Sequence, residues 1–147
     1  MSIHQEADLI LKLYELRREE TLRKARDWFF RDFHPESMAD INSAMFGQHG
    51  NYLRMIVSYW EMAAALVNRG AIGVDLFNET NAEHIGVFSK VEPFLGDLRS
   101  AGNPRFAYAL EKLIDSTSDG RERVSAARQR MKAAHPQVAA SPVASQR

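Results

Sequence analysis

The chain contains no cysteine. That removes disulfides, zinc ribbons, thiolate-held iron–sulfur clusters and a thiol nucleophile together, and it fits a reducing compartment. Glycine and proline are sparse, 8 and 5 residues in 147. The glycines punctuate and do not cluster, so no Walker loop, dinucleotide fingerprint or G-x-S-x-G elbow can be found. Net charge is missing as well: 19 Lys plus Arg balance 19 Asp plus Glu. No whole-protein field therefore draws in nucleic acid or an acidic surface. Nor is there a long apolar run. The most apolar stretch, Tyr52 to Val67, contains Arg54 and Glu61 and is shorter than the roughly 20 apolar residues of a membrane span. Glu6 and Asp8 arrive too early for a signal peptide. The expected compartment is the cytoplasm.

What is present is ordinary globular composition, 45% hydrophobic and 26% charged, in a chain long enough to bury a core. The charge is unevenly placed. Residues 1–118 carry 13 basic and 17 acidic side chains, whereas residues 119–147 carry 6 and 2. Apolar residues recur at helical spacing and nowhere alternate as in a strand. Ile3 to Phe33 reads as one long helix whose stripe shifts from Leu9, Leu13 and Leu16 to Leu22, Ala25, Phe29 and Phe33 across a charged middle. His34-Pro35 ends it. Ser37 with Asp40 opens a short helix to about Phe46. Residues 51–69 form a helix apolar over most of its circumference, the mark of a bundle's centre, closed by Gly70. Asp75 caps a short turn near Leu76. A helix from Asn81 to Ala101 should kink at Pro93, and Asn103-Pro104 should start another. Asp119 with Glu122 opens the last one, to about Ala134.

The expected fold is thus all-α: an irregular helical bundle of about five to six helices around a central hydrophobic helix at about 51–69. Residues 1–118 form the bundle domain, 119–134 a basic, weakly docked helix, and 135–147 a disordered tail rich in Ala, Ser, Gln and Pro.

Candidate sites are few. No Glu is followed by a His three residues on, and H-E-x-x-H is absent, so no di-iron or zincin ligand set exists. The histidines are scattered, and the residues after His84 match a phosphotransfer helix poorly. No catalytic, cofactor-binding or metal-ligating residue is assigned. Glu61 is the lone acid of the central helix. It either faces water on a stripe with Arg54 and Ser58 or forms a buried ion pair, with Arg99 or Arg105 as its partner. Trp28, Phe29, Phe30 and Phe33 span most of a helix circumference. They form either a partner surface or a helix end swallowed by the core. Arg121, Arg123, Arg128, Arg130 and Lys132 form a basic segment suited to anion contact. It lacks the interleaved aromatics that stack bases and the bulky apolar residues that enter membranes.

The segment Tyr59-Trp60-Glu61-Met62-Ala63-Ala64-Ala65-Leu66-Val67-Asn68-Arg69-Gly70, followed by Val91-Glu92-Pro93-Phe94-Leu95-Gly96-Asp97-Leu98-Arg99 and by Phe106 to Leu113, resembles a bacterial family of small helical proteins with a domain of unknown function. That family carries an aromatic-Glu pair, a Leu-Val-x-x-Gly helix end and a Pro…Arg element. The likeness covers roughly residues 10–115, with Phe88 where the family has tryptophan. It implies a helical fold, no assigned activity, and Glu61 with Arg99 as paired landmarks.

The leading functional expectation is a non-catalytic protein–protein interaction or regulatory module that self-associates as a homodimer. The alternatives are a small-ligand-binding or enzymatic bundle using Glu61 with nearby arginines, and nucleic-acid or membrane-surface association through the basic C-terminal helix. The lack of net charge and of stacking aromatics disfavours the last.

Overall fold

A computed structural model of the chain describes residues 2–135. The expected disordered tail falls, apart from His135, outside the described residues. Among these, nine α-helices are formed: α1 (Ile3–Arg17), α2 (Glu20–Arg31), α3 (Met38–Met45), α4 (Gly50–Asn68), α5 (Val74–Thr80), α6 (Glu83–Val91), α7 (Leu95–Ser100), α8 (Tyr108–Ser116) and α9 (Gly120–Ala134), with a 3-10 turn at Glu92–Phe94 before α7. The all-α class is as expected, but the helices outnumber the expected five to six because Ile3–Phe33 and Asn81–Ala101 are each divided and the expected turn near Leu76 is the helix α5.

The first break divides Ile3–Phe33. The Arg18 and Glu19 amides donate to Glu15 and Leu16 carbonyls three residues back, which tightens and ends α1. Glu19 then turns extended (φ −59°, ψ 140°), and its carboxylate accepts the Leu22 amide. Within the charged middle of the expected helix, Glu19 is thus an N-cap. The shift of the apolar stripe is the trace of two helices meeting at an angle. Pro93 divides the second long segment as expected for a residue without an amide proton, leaving α6 and α7 on either side of the 3-10 turn. Asn103-Pro104 starts turns and no helix. α8 begins at Tyr108, after Ala107 has taken the left-handed conformation (φ 54°).

α4 is the centre, as expected. Leu53, Ile56, Trp60, Ala63 and Ala64 are at most 1% exposed, and the helix packs chiefly on α8 and α2. Its end is a Schellman motif. Gly70 has φ 84°, its amide donates to Val67, and the Ala71 amide donates to Leu66. Glycine supplies that left-handed residue without strain.

The aromatic block at the end of α2 belongs to this core and not to an outer surface. Phe29 is fully buried, Phe33 and Trp28 nearly so, and Phe30 half-buried. Trp28 stacks on Phe33 at 4.8 Å between centroids and on His49 at 5.2 Å. The turn before α4 thus folds over the side of α2 that looked hard to cover. α9 is more firmly held than a weakly docked helix. It packs on α6, with Val124 fully buried and Ala127 almost so. Among the described residues, no helix is long and apolar enough to cross a membrane.

Candidate functional site

Glu61 does not pair with Arg99. Its two oxygens accept the amides of Ala109 (2.7 Å) and Leu110 (2.8 Å). These are the second and third amides of α8, whose N-cap residue, Ala107, has no side-chain acceptor. Glu61 therefore caps α8 from another helix, supplying the carboxylate that a helix N-terminus favours. Two α4 turns further on, the Asn68 amide group donates to the Ala109 carbonyl at 2.9 Å. Glu61 and Asn68 thus grip α8, while Arg54 and Ser58 of the same stripe bond the Met45 and Met55 carbonyls. Arg99 bonds elsewhere, to Glu111 at 2.9 Å and to the Phe106 carbonyl at 3.1 Å. The other candidate partner, Arg105, lies over the Tyr108 ring.

The basic helix is neutralised in part by its own domain. Arg121 forks onto both oxygens of Asp115 (2.7 and 3.1 Å) and reaches Glu92 (2.6 Å) and Glu111 (2.9 Å). Hydrogen bonding to Asp115 above all raises its pKa. Arg128 bonds the Glu92 carboxylate and the Ser89 carbonyl. A ladder of alternating charge, Arg99–Glu111–Arg121–Glu92–Arg128, therefore ties α7, α8 and α9 together. Arg123 and Arg130 line a shallow groove with Phe30, Ile85 and Gly86, and Lys132 is exposed. The five basic residues do not form one anion-binding face.

Two further polar centres were not assigned as sites from the sequence, where of their residues only His84 was weighed, as a phosphotransfer histidine. Glu83, at the start of α6, accepts the Arg26 guanidinium (Nε 2.7 Å, Nη2 2.6 Å) and the Trp60 indole N–H (3.1 Å), with Arg17 at 3.8 Å. The bond to Glu83 raises the Arg26 pKa. Beside it, His84 is completely buried against Trp60 and Phe77, and neither ring nitrogen has a partner among the described residues. Burial, with the Arg123 charge second, lowers its pKa to about 4.

The other centre is Lys90, on a helix buried nearly all round. Its amine donates to the Phe29 and Phe33 carbonyls at the C-terminal end of α2 and lies over the Phe29 and Phe30 rings. Burial pulls its pKa down to about 7, while the two carbonyls and the negative end of the helix favour the ammonium form. The signal available in the sequence was a lysine inside the apolar run Val87–Val91. Lys90 lies at the wall of a cleft of about 460 Å³ lined also by His34, Pro35, Phe94, Arg128, Met131 and Lys132. Among the described residues, no group of three His, Asp or Glu side chains is placed to hold a metal ion.

An all-helical module is thereby defined, built around one apolar helix and bound together by cross-helix caps and ion pairs. The chain belongs to a family described as a domain of unknown function, DUF4760, whose profile matches residues 2–117. No curated protein and no solved structure matches it.

Proposed function

We propose that the protein is a non-catalytic interaction module that self-associates through the outer flank of α1. The aromatic block of α2 cannot serve, because it lies inside the core. Ile3, Leu11 and Tyr14 are 57%, 64% and 54% exposed and, with the half-buried Ala7, fall on one side of the helix at i, i+4, i+8 and i+11. Large apolar side chains aligned in a row, unlike those scattered singly, mark a contact surface. α1 is itself thinly held: Ile10 and Leu13 are its buried residues, with the Glu6 carboxylate on the Gly73 amide (2.6 Å) and the Tyr59 hydroxyl on the Leu13 carbonyl.

A second copy of the same helix suits this row. Of the charges on α1, Glu6 and Arg17 are engaged within the chain, which leaves Asp8 acidic towards the N-terminal end and Lys12, with the C-cap Arg18, basic towards the other, Glu15 being the exception. An antiparallel, two-fold pairing sets each half against its opposite, the self-complementary arrangement of a closed dimer. The internal pairing of Arg121 and Arg128 weakens the case for a nucleic-acid or membrane partner.

Light scattering on the full chain across about 10 to 200 µM tests the reading, since dimerisation follows mass action. The expected mass is that of a dimer at the upper concentrations. Leu11→Glu should return it to a monomer with helicity unchanged and with the melting that wild type shows when diluted to monomer, because substitutions at exposed sites shift stability by only about 0.5 kcal/mol. A wild-type monomer throughout, or a dimer that tolerates Leu11→Glu, would remove this interface.

A further inference from the structure

We propose that the cleft between the end of α2, the turn after α6 and α9 is a binding site for a small organic anion with an apolar body, an aryl phosphate or carboxylate. Nothing in the α1 reading bears on it. The cleft's volume of about 460 Å³ falls within the usual range of small-molecule sites, about 300–1,000 Å³. Its floor is buried and largely apolar: Phe94 is 9% exposed and Met131 is half-buried. Its lining holds more cations than anions. Lys90, Arg128 and Lys132 stand against the carboxylate of Glu36, with Glu92 paired to Arg128 and the His34 and His135 rings beside them.

The cations retain capacity for a ligand. Lys90 uses two of its three N–H donors on the Phe29 and Phe33 carbonyls, which leaves one. Arg128 uses Nε and Nη2 on Ser89 and Glu92, and Lys132 is exposed. Two of the three are held in place, Lys90 by the end of α2 and Arg128 by the ladder to Glu92. Lys132, exposed, follows Arg128 by one turn of α9. A charge-assisted pair formed partly out of water is stronger than one on an open surface. An anion whose body covers Phe94 and Met131 gains that shielding, and a bare anion does not. The chemistry selected is therefore a small molecule with a charged head joined to an apolar group. The ring pair His34–His135, with centroids 4.1 Å apart, closes one side, and the pKa of His34 is lowered, chiefly by burial.

Calorimetric titration of the full chain with phenyl phosphate, benzoate, inorganic phosphate and benzyl alcohol tests the assignment. Phenyl phosphate or benzoate should bind with a Kd of about 1 mM or tighter, and inorganic phosphate and benzyl alcohol at least about tenfold more weakly. Lys132→Glu should weaken the bound probe about tenfold or more. Arg130→Glu, which changes charge equally on the neighbouring groove, should leave it within about twofold. Lys90→Met should abolish binding, and its circular dichroism shows whether α2 survives the loss of its cap. Equal weakening by Lys132→Glu and Arg130→Glu would reduce the effect to a general surface field and overturn the site. So would the absence of heat from both organic anions at about 10 mM.

Discussion

An imidazole sealed among aromatic rings with neither nitrogen hydrogen-bonded carries an unrelieved desolvation cost of about 1–3 kcal/mol. His84 is in that position, and the cost sets a prediction. His84→Leu should raise stability by about 1 kcal/mol at neutral pH, read as an increase in urea midpoint. The pH dependence has a definite sign. In the unfolded chain a histidine titrates near 6.5, and in the folded protein at about 4. Between those values the unfolded chain holds a proton that the folded protein refuses. The stability linked to His84 is therefore complete above about 6.5 and is lost as pH falls towards 4. Wild type should weaken more steeply than His84→Leu across that window, and parallel pH profiles would contradict the assignment. Glu61 gives a prediction of the opposite sense. Glu61→Ala removes two charge-assisted bonds to the start of α8 and should cost about 2 kcal/mol, with Glu61→Gln between the two. The special position of Glu61 was legible, because it is the one acid on an otherwise apolar helix. Its partner was not, because backbone amides leave no mark in the sequence and Ala107 gives no sign that its own helix lacks a cap. Glu83 was hidden for a related reason: its ligands Arg26 and Trp60 lie 57 and 23 residues away.

At the scale of the element, glycines of one sequence type divide by what surrounds them. Gly120 opens α9, and a Cβ there would stand 2.0 Å from the Ile114 carbonyl oxygen. Because that obstacle is backbone, Gly120→Ala must displace α9 from α8, and it should cost about 1–3 kcal/mol, the range of overpacking. Gly96 lies inside α7, and a methyl group there would meet nothing within 4 Å. Gly96→Ala should instead stabilise by about 0.5–1 kcal/mol, the helix-propensity difference. Thermal melting of the two variants beside wild type checks both signs, and the same sign for both would contradict the packing described. Helix existence was legible where periodicity was strong, as in α4 and α8, and so were the stops at His34-Pro35, Gly70 and Pro93. The break at Arg18-Glu19 was not, since both residues favour helices and their charge pattern suits one. Both flanking helices bury apolar residues in the same core, Ile10 and Leu13 from α1 and Leu22, Ala25 and Phe29 from α2, and tertiary packing there overrides local helix propensity.

Across the whole molecule, the question is whether residues 119–134 are an appendage or part of the folded unit. Composition favours an appendage: the segment is basic, thinly apolar and charged on most of its circumference, and the family profile stops at residue 117. The opposing observation is packing, since apolar contact is nondirectional and needs only a few well-placed side chains. Val124 is fully buried, Ala127 almost so, and the Arg121 guanidinium covers the Phe88 ring at 5.3 Å. The acidic excess of residues 1–118 finds its counter-charge in the same helix, where Glu92, Glu111 and Asp115 meet Arg121 and Arg128. Because these pairs are mostly on the surface, each contributes at most about 1 kcal/mol, and burial of Val124 alone contributes about 1.5–3 kcal/mol. The four pairs together are at most comparable with that burial, but packing is not screened by salt, so salt alone should not release the helix. A chain ending at Ser118 should lose at least about 3 kcal/mol and unfold with a smaller urea slope, because less surface becomes exposed. Full-length protein should lose little stability between low and high salt. If the truncated chain instead unfolds with the wild-type free energy, midpoint and slope taken together, α9 adds no stability, and the bundle ends where the composition changes.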